Sequence, residues 1–143
     1  MKDKIHFVDC GAHIGETLEW AKKTYGDKLL KIDAFEPLPD NIAILHQWYE
    51  NDALIDLHDC AVACEDGHTN FYPQISGAKT GSSLVFGKPS TEKIPITVAC
   101  VDLARWIKDN MSADNYNCLK LDTEGYEYKL LPHLFANGAD KLI

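Results

Sequence analysis

The stretch Phe7-Val8-Asp9-Cys10-Gly11-Ala12-His13-Ile14-Gly15 decides the fold that this sequence predicts. Its apolar start, from Ile5 to Asp9, is typical of a short strand. The two glycines that follow let the backbone approach another group where a Cβ would collide. Beyond them, Leu18, Ala21 and Tyr25 recur at helical spacing on one face. The stretch therefore predicts a strand, a glycine loop and a helix in succession.

A second unit of the same kind follows. Leu30 to Phe35 predicts a strand that ends at Glu36-Pro37. Pro39 then suits the first turn of a helix whose apolar face is Ile42, Leu45 and Tyr49. Strands that alternate with helices predict an α/β fold, in which helices cover both faces of a mostly parallel sheet.

The alternation becomes less regular after this second unit. Ile55 to Val62 predicts a third strand, and the turn signal Glu65-Asp66-Gly67 predicts that His68 to Tyr72 returns beside it as a hairpin. Residues 73–93 are rich in Gly, Ser, Thr, Lys and Pro and predict a long loop. A loop of this length inside a small domain is often functional, so we expect it to act as a lid over an acceptor.

The last third of the chain returns to the strand and helix pattern. Ile94 to Cys100 predicts a strand, after which Asp102 caps a helix. Cys118 to Leu121 predicts a buried strand before a helix that Pro132 must kink or restart. Lys141-Leu142-Ile143 predicts the beginning of another strand.

Length, charge and cysteine content narrow the class of protein. The 143 residues predict a single domain, 1–143, and no run of about 18 apolar residues predicts a membrane helix. The net charge of −8 opposes binding to a nucleic acid. Five cysteines without a C-x-x-C pair favour reduced thiols in a cytoplasmic protein over a disulfide or zinc framework. The six histidines lack metal-ligand spacing, so no metal site is predicted.

Acidic residues follow successive strands at the edge where an open parallel sheet binds its ligand. Asp9 precedes the glycine loop, which lacks the G-x-G-x-x-G pattern of dinucleotide folds. Its carboxylate would repel a phosphate and suit an ammonium group, which favours S-adenosylmethionine over NAD. The alternative is a strand-helix turn that only needs glycine. His13, within the loop, is expected to touch the ligand.

Two further strand ends offer contacts to a nucleoside. Glu36 stands 21 residues after Gly15, the spacing at which a carboxylate accepts hydrogen bonds from a ribose diol. Asp59 is expected to accept a hydrogen bond from an adenine amino group, and Ala61 leaves room for the ring. The alternatives are a solvated charge at the strand end or a residue at the start of a helix for Glu36, and a surface carboxylate for Asp59.

The segment LKLDTEGYE, residues 119–127, places Asp122 and Glu124 at the same edge of the sheet. These carboxylates can orient a substrate hydroxyl, take up its proton, or hold the methionine part of S-adenosylmethionine. The alternative is that Glu124 and Glu127 only stabilise the N-terminus of the next helix.

Together these motifs resemble the FkbM-type methyltransferases in order and spacing across nearly the whole chain. The motifs are VDCGAHIGET at 8–17, AFEPLP at 34–39 and KLDTEGYE at 120–127, supported by the GSSL loop at 81–84. The resemblance implies a class I, Rossmann-like domain and S-adenosylmethionine-dependent O-methylation, often of sugar or polyketide hydroxyls. One departure is His13, where Asn is commoner in the family.

The second departure is at the C-terminal end, because the family's fold continues through a fifth strand to an antiparallel hairpin of strands six and seven. We expect either a fragment or a short version whose bare sheet edge is covered by another chain, such as a second copy. The resulting hypothesis is an O-methyltransferase with catalytic Asp122 and Glu124. Its cofactor contacts are Asp9, Gly11, Ala12, His13, Gly15, Glu36, Asp59 and Ala61. The rivals are a non-catalytic S-adenosylmethionine-binding module and, less favoured, an NAD-dependent oxidoreductase.

Overall fold

The computed structural model describes residues 3–75 and 81–143, so residues 76–80 of the predicted lid loop lie outside the described residues. Seven strands and four helices follow one another in this part of the chain, together with 3₁₀ turns at Gly26–Lys28 and Ala139–Leu142. In chain order they are β1 Ile5–Cys10, α1 Glu16–Tyr25, β2 Leu29–Phe35, α2 Pro39–Tyr49, β3 Ile55–His58, β4 Ala61–Ala63, β5 Gly67–Phe71, β6 Ile96–Asp102, α3 Leu103–Asn110, β7 Tyr116–Leu121 and α4 Glu127–Ala136.

The main sheet has four parallel strands in the order β3-β2-β1-β7. Because all four run the same way, their carboxyl ends meet at one edge, and the segments after β1, β2, β3 and β7 lie side by side there. The predicted α/β fold with a mostly parallel sheet is confirmed.

Helices cover both faces of this sheet, as predicted. Successive side chains of a strand point to opposite faces, and those of β1 belong to two different apolar clusters. Phe7 packs in the cluster of Leu18 and Leu45, from α1 and α2. Val8 packs in the cluster of Ile107 and Leu130, from α3 and α4. Within the described residues, no helix is long and apolar enough to cross a membrane.

The prediction of one third strand over residues 55–62 is wrong. The chain turns sharply after β3, where the Cys60 N–H donates to the His58 carbonyl oxygen at 2.8 Å. The turn takes β4 out of the main sheet and into a second sheet with the order β4-β6-β5.

The predicted hairpin between this region and His68–Tyr72 is also wrong. β6 lies between β4 and β5, parallel to β4 and antiparallel to β5. Its inward residues Val98 and Cys100 complete an apolar cluster with Ala61 and Phe71. Burial of that cluster, which requires a strand distant in sequence, overrides the local turn signal.

The end of the chain differs from the prediction of another strand at Lys141–Ile143. Residues Ala139–Leu142 form a 3₁₀ turn instead. Ala139 is fully buried in the α3 and α4 cluster, and the Asn117 side chain donates to the Leu142 carbonyl oxygen. These contacts hold the turn against that cluster. α4 runs through Pro132 without restarting.

A buried polar network crosses the α3 face of the sheet. The Asp33 carboxylate on β2 binds His6 at 2.6 Å, His58 at 2.7 Å and Lys31 at 3.1 Å. Burial by itself raises the pKa of Asp33, but the bonds from His58 and His6 and the charge of Lys31 hold it well below its usual range. The ring of Trp106 on α3 packs edge-on against both histidines, so the network joins three strands to a helix.

We expect Asp33→Asn to lower the free energy of unfolding at pH 7 by about 3 kcal/mol, because it breaks a buried charge network. The folded pKa of Asp33 is depressed, so the stabilisation is fully present above the unfolded pKa of about 4 and declines as pH falls below it. Urea titrations at pH 7 and pH 3 measure this change. The difference in the free energy of unfolding between the wild type and the variant should be smaller at pH 3 than at pH 7.

The matched control is Asp56→Asn, which removes the exposed carboxylate that also binds Lys31. We expect it to cost less than about 1 kcal/mol. Equal losses in the two variants, or a gap that stays constant with pH, would contradict the role of Asp33.

Candidate functional site

A cavity of about 310 Å³ opens at the carboxyl edge of the main sheet. Its wall is built from the segments that follow successive strands. They contribute Gly11, Ala12 and His13 after β1, Glu36 and Pro37 after β2, Cys60, Ala61 and Val62 after β3, and Lys120, Asp122 and Glu124 at the end of β7. The three sequence motifs, far apart in the chain, therefore surround one space. Ser82 and Leu84 of the predicted lid loop also line it.

The glycine loop brings the ends of three strands together. The N–H groups of Gly11 and Ala12 both donate to the Phe35 carbonyl oxygen, at 3.0 and 2.9 Å. Gly11 has φ +98°, and a Cβ there would collide with the Asp122 carbonyl oxygen. Gly15 does not line the cavity. It has φ +101° and packs against the ring of Tyr49, so it shapes the start of α1.

We expect Gly11→Ala to cost about 2 kcal/mol more stability than Gly87→Ala. Gly87 also has a positive φ, +82°, but a Cβ there would meet nothing within 4 Å. Both variants carry the cost of a left-handed backbone, but only Gly11→Ala also pushes the ends of β1 and β7 apart. The difference between the two variants therefore measures the second cost. Urea unfolding measures both variants, and equal losses would show that the close approach at Gly11 has no energetic weight.

Asp9 is fully buried and lies behind the cavity wall rather than in it. Its Oδ1 accepts a hydrogen bond from Lys120 Nζ at 2.7 Å, while its Oδ2 has no partner among the described residues. Burial raises the pKa of Asp9, and the Lys120 charge offsets this only in part. The cation that the sequence predicted for Asp9 thus comes from its own chain.

Glu36 lines the cavity and is nearly buried, with 6% of its surface exposed. Its Oε2 accepts the His13 N–H at 2.9 Å, and its Oε1 accepts the Leu38 N–H at 2.9 Å and Asn41 Nδ2 at 3.3 Å. Burial raises the pKa of Glu36, and these hydrogen bonds moderate the rise. A carboxylate has about four lone-pair sites, so Glu36 keeps capacity for a ligand hydroxyl.

The structure does not bring Asp59 to the cavity. Its carboxylate is half exposed and bonds to His46 Nε2 at 2.8 Å, away from the wall. The next residues, Cys60, Ala61 and Val62, line the cavity instead. Burial raises the pKa of Cys60 to about 11, which keeps its thiol protonated at neutral pH.

The two carboxylates after β7 differ in their surroundings. Asp122 faces the opening with 60% of its side chain exposed, 3.9 Å from Lys120 Nζ. Glu124 binds Lys88 Nζ at 3.0 Å and holds an unusual positive φ of +55°. Glu127 lies outside the wall, and its carboxylate accepts the N–H groups of Thr123 and Gly125. Burial by itself raises the pKa of Glu127, but these hydrogen bonds keep it below its ordinary value.

The described part of the predicted lid loop is fastened to the segment after β7. Ser83, which is fully buried, donates from its Oγ to the Glu124 carbonyl oxygen at 2.9 Å and accepts the Val85 N–H at 3.0 Å. Lys88 Nζ donates to the same carbonyl oxygen at 3.2 Å. The loop therefore lies against the cavity and is held there by polar contacts.

We expect Ser83→Ala to lower the free energy of unfolding by about 1–3 kcal/mol, because it removes the hydrogen bond to the Glu124 carbonyl oxygen and leaves the Val85 N–H without its partner. Amide hydrogen exchange should also quicken in residues 82–88. Ser90→Ala, at an exposed position of the same loop, is the control. Unchanged exchange rates in the Ser83 variant would show that this hydroxyl does not hold the loop.

The sequence did not predict the contacts that three residues of the site make. Lys120 lies within a quoted motif, but a lysine inside a strand gives no signal of the carboxylate beside it. Ser83 and Lys88 lie in a polar loop, where neither periodicity nor spacing indicates the partner. The only signal was the placement of small residues at Gly81-Ser82-Ser83.

Comparison with known proteins agrees with this architecture. A family model described as methyltransferase FkbM domain matches residues 9–143. The structure is similar to the crystal structure of methyltransferase FkbM from Methylobacillus flagellatus KT, with a TM-score of 0.59 and 19% sequence identity. That match covers 96% of this chain and 30% of the other, so this chain spans about a third of that protein's length. No curated protein matches the sequence.

At 19% identity the structural likeness shows the fold alone. The family model carries more weight, because it spans the glycine loop, the Glu36 strand end and the Asp122 segment that surround the cavity. The protein belongs to the FkbM methyltransferase family.

Proposed function

We propose that this chain binds S-adenosylmethionine in the cavity and serves the transfer of its methyl group to a hydroxyl oxygen of a sugar, a glycan or another small metabolite. The observation that carries the proposal is the convergence of the three motifs, after β1, β2 and β7, on one cavity. Membership of the family supports methyl transfer, and the cofactor, the hydroxyl and the acceptor class are the further parts of the proposal.

The cavity wall fits the three chemical parts of this cofactor. Near the end of β3 the wall is apolar, formed by Cys60, Ala61, Val62, Phe71 and Leu84, which suits a flat adenine ring. At the end of β2, the Glu36 carboxylate suits a ribose hydroxyl. At the end of β7, Lys120 offers a positive charge for the carboxylate of the amino-acid group. Adenine, ribose and the amino-acid group would thus lie at the ends of β3, β2 and β7, in the order of these strands in the sheet.

The loop after β1 connects these regions. His13 has φ +53°, a conformation that Asn and His adopt more readily than most residues. This conformation lets the His13 N–H donate to Glu36 while the residue also lines the cavity. Because Asn shares this preference, it gives a physical reason why His can stand at position 13, where Asn is commoner in the family.

S-adenosylmethionine supplies an electrophilic methyl group on a positively charged sulfur. The chain then has to align an acceptor hydroxyl and accept its hydrogen bond or proton. We assign this role first to Asp122, whose carboxylate faces the opening, and second to Glu124. Glu124 is less available, because Lys88 already binds it.

The loop of Ser82 to Lys88 is the proposed acceptor lid, since it lines the cavity and contacts the Glu124 segment.

All five cysteines are free thiols, which supports a reducing compartment such as the cytoplasm.

Isothermal titration of S-adenosylmethionine should give saturable binding, and Glu36→Gln should weaken it about 10-fold to 100-fold. That range is the worth of one hydrogen bond to a charged group. Glu50→Gln, an exposed change outside the cavity wall, is the control. No heat at millimolar ligand would refute the proposed cofactor.

A second candidate is cofactor binding without turnover by this chain alone. In the described residues β7 pairs only with β1 and leaves its other edge bare, which favours a further segment or chain at that edge. Radiolabelled methyl transfer to a panel of glycans and small hydroxylated compounds separates the two candidates. Binding without any labelled product would support the second.

A further inference from the structure

The ammonium group of Lys120 occupies the place where the sequence predicts a ligand ammonium. Lys120 Nζ donates to Asp9 Oδ1 at 2.7 Å and to the Gly11 carbonyl oxygen at 3.1 Å. Asp9 is fully buried and takes no part in the cavity wall, whereas Lys120 lines the cavity. A ligand ammonium could therefore reach Asp9 only by displacing Lys120.

Displacement of Lys120 would be costly. One oxygen of Asp9 already has no hydrogen-bond partner among the described residues. A ligand ammonium in this place would only restore the bond and the charge that Lys120 already gives to Asp9, while Lys120 would lose its bonds to Asp9 and to the Gly11 carbonyl oxygen. The pair is therefore better described as a fixed part of the protein than as an open site for a cation.

The same geometry leaves one proton of Lys120 free for a ligand. An ammonium group has three N–H donors, and two of them are used by Asp9 and Gly11. Asp122 Oδ2, at 3.9 Å, lies beyond hydrogen-bond distance. Lys120 is also the only Lys or Arg among the described residues of the cavity wall.

We infer that Lys120 binds the carboxylate of the cofactor's amino-acid group, and that Asp9 is the positioning residue that holds Lys120 in place. This inference rests on the proposed function and reverses the predicted role of Asp9. Specificity for the intact amino-acid group then comes from a cation on β7 and not from the acidic residue before the glycine loop.

The first test changes the ligand and leaves the protein intact. Calorimetry compares S-adenosylmethionine with its decarboxylated analogue, which keeps the ammonium and the sulfonium groups. Loss of one charge-assisted hydrogen bond should weaken binding by about 10-fold to 100-fold. Equal or tighter binding of the analogue would overturn the inference, because a ligand ammonium on Asp9 needs no carboxylate.

The second test changes the protein. In Lys120→Met the ratio of the two affinities should fall to about one. If instead the ligand ammonium replaced Lys120 on Asp9, this variant would open that place and bind S-adenosylmethionine more tightly. The double variant Asp9→Asn/Lys120→Met removes both charges, so it gives the same readout if the single variant fails to fold. A ratio that persists in the double variant would contradict the inference.

Lys108→Met is the control, since it removes one positive charge at an exposed position of α3 outside the cavity wall. It should keep the affinity ratio of the wild type. Loss of the ratio in this control as well would assign the discrimination to general electrostatics and overturn the contact with Lys120.

5′-Methylthioadenosine, which lacks the amino-acid group, tests the remainder of the cavity. Suppose that 5′-methylthioadenosine binds to the wild type and to each folded variant with similar affinity. If Lys120→Met then leaves the ratio of the affinities for S-adenosylmethionine and its decarboxylated analogue unchanged, only this inference fails. If neither it nor S-adenosylmethionine binds to the wild type, the proposed function fails and this inference fails with it.

Discussion

The close approach of Gly11 to the Asp122 carbonyl oxygen is the constraint on which the site depends. It is possible because residue 11 has no Cβ and adopts a positive φ. The same peptide unit and the next one donate to the Phe35 carbonyl oxygen, so one loop joins the ends of β1, β2 and β7. The cavity lies over this junction, which brings Glu36 and Asp122 to one wall.

A second principle is that each deeply buried carboxylate is compensated from within the chain. Asp9 has Lys120, Asp33 has two histidines and a lysine, and Glu36 has backbone N–H groups together with Asn41. Such groups are expensive to bury alone. Among the carboxylates of the cavity wall in the described residues, only that of Asp122, which is largely exposed, accepts no hydrogen bond. It therefore remains the carboxylate best able to meet an acceptor.

The sequence predicted those features that follow from local pattern. Apolar periodicity predicted the parallel strands and their helices, and acidic residues at strand ends predicted which segments would meet. It failed where distant segments compete for the same edge: β6 took the place predicted for a hairpin partner because it completes the cluster of Ala61 and Phe71. It also missed every partner of the buried charges, since neither spacing nor composition indicates that Lys120 faces Asp9. Asp59 shows the opposite error, because its position at a strand end did not reveal that His46 would bind it outside the cavity.

The central claim is that the ends of β1, β2 and β7 form one nucleoside-binding cavity. A crystal structure of the chain with S-adenosylhomocysteine tests it most directly. The account predicts that the ribose lies against Glu36, the adenine ring beside Ala61 and the amino-acid group beside Lys120. A ligand bound elsewhere, or a ribose that makes no contact with Glu36, would contradict it.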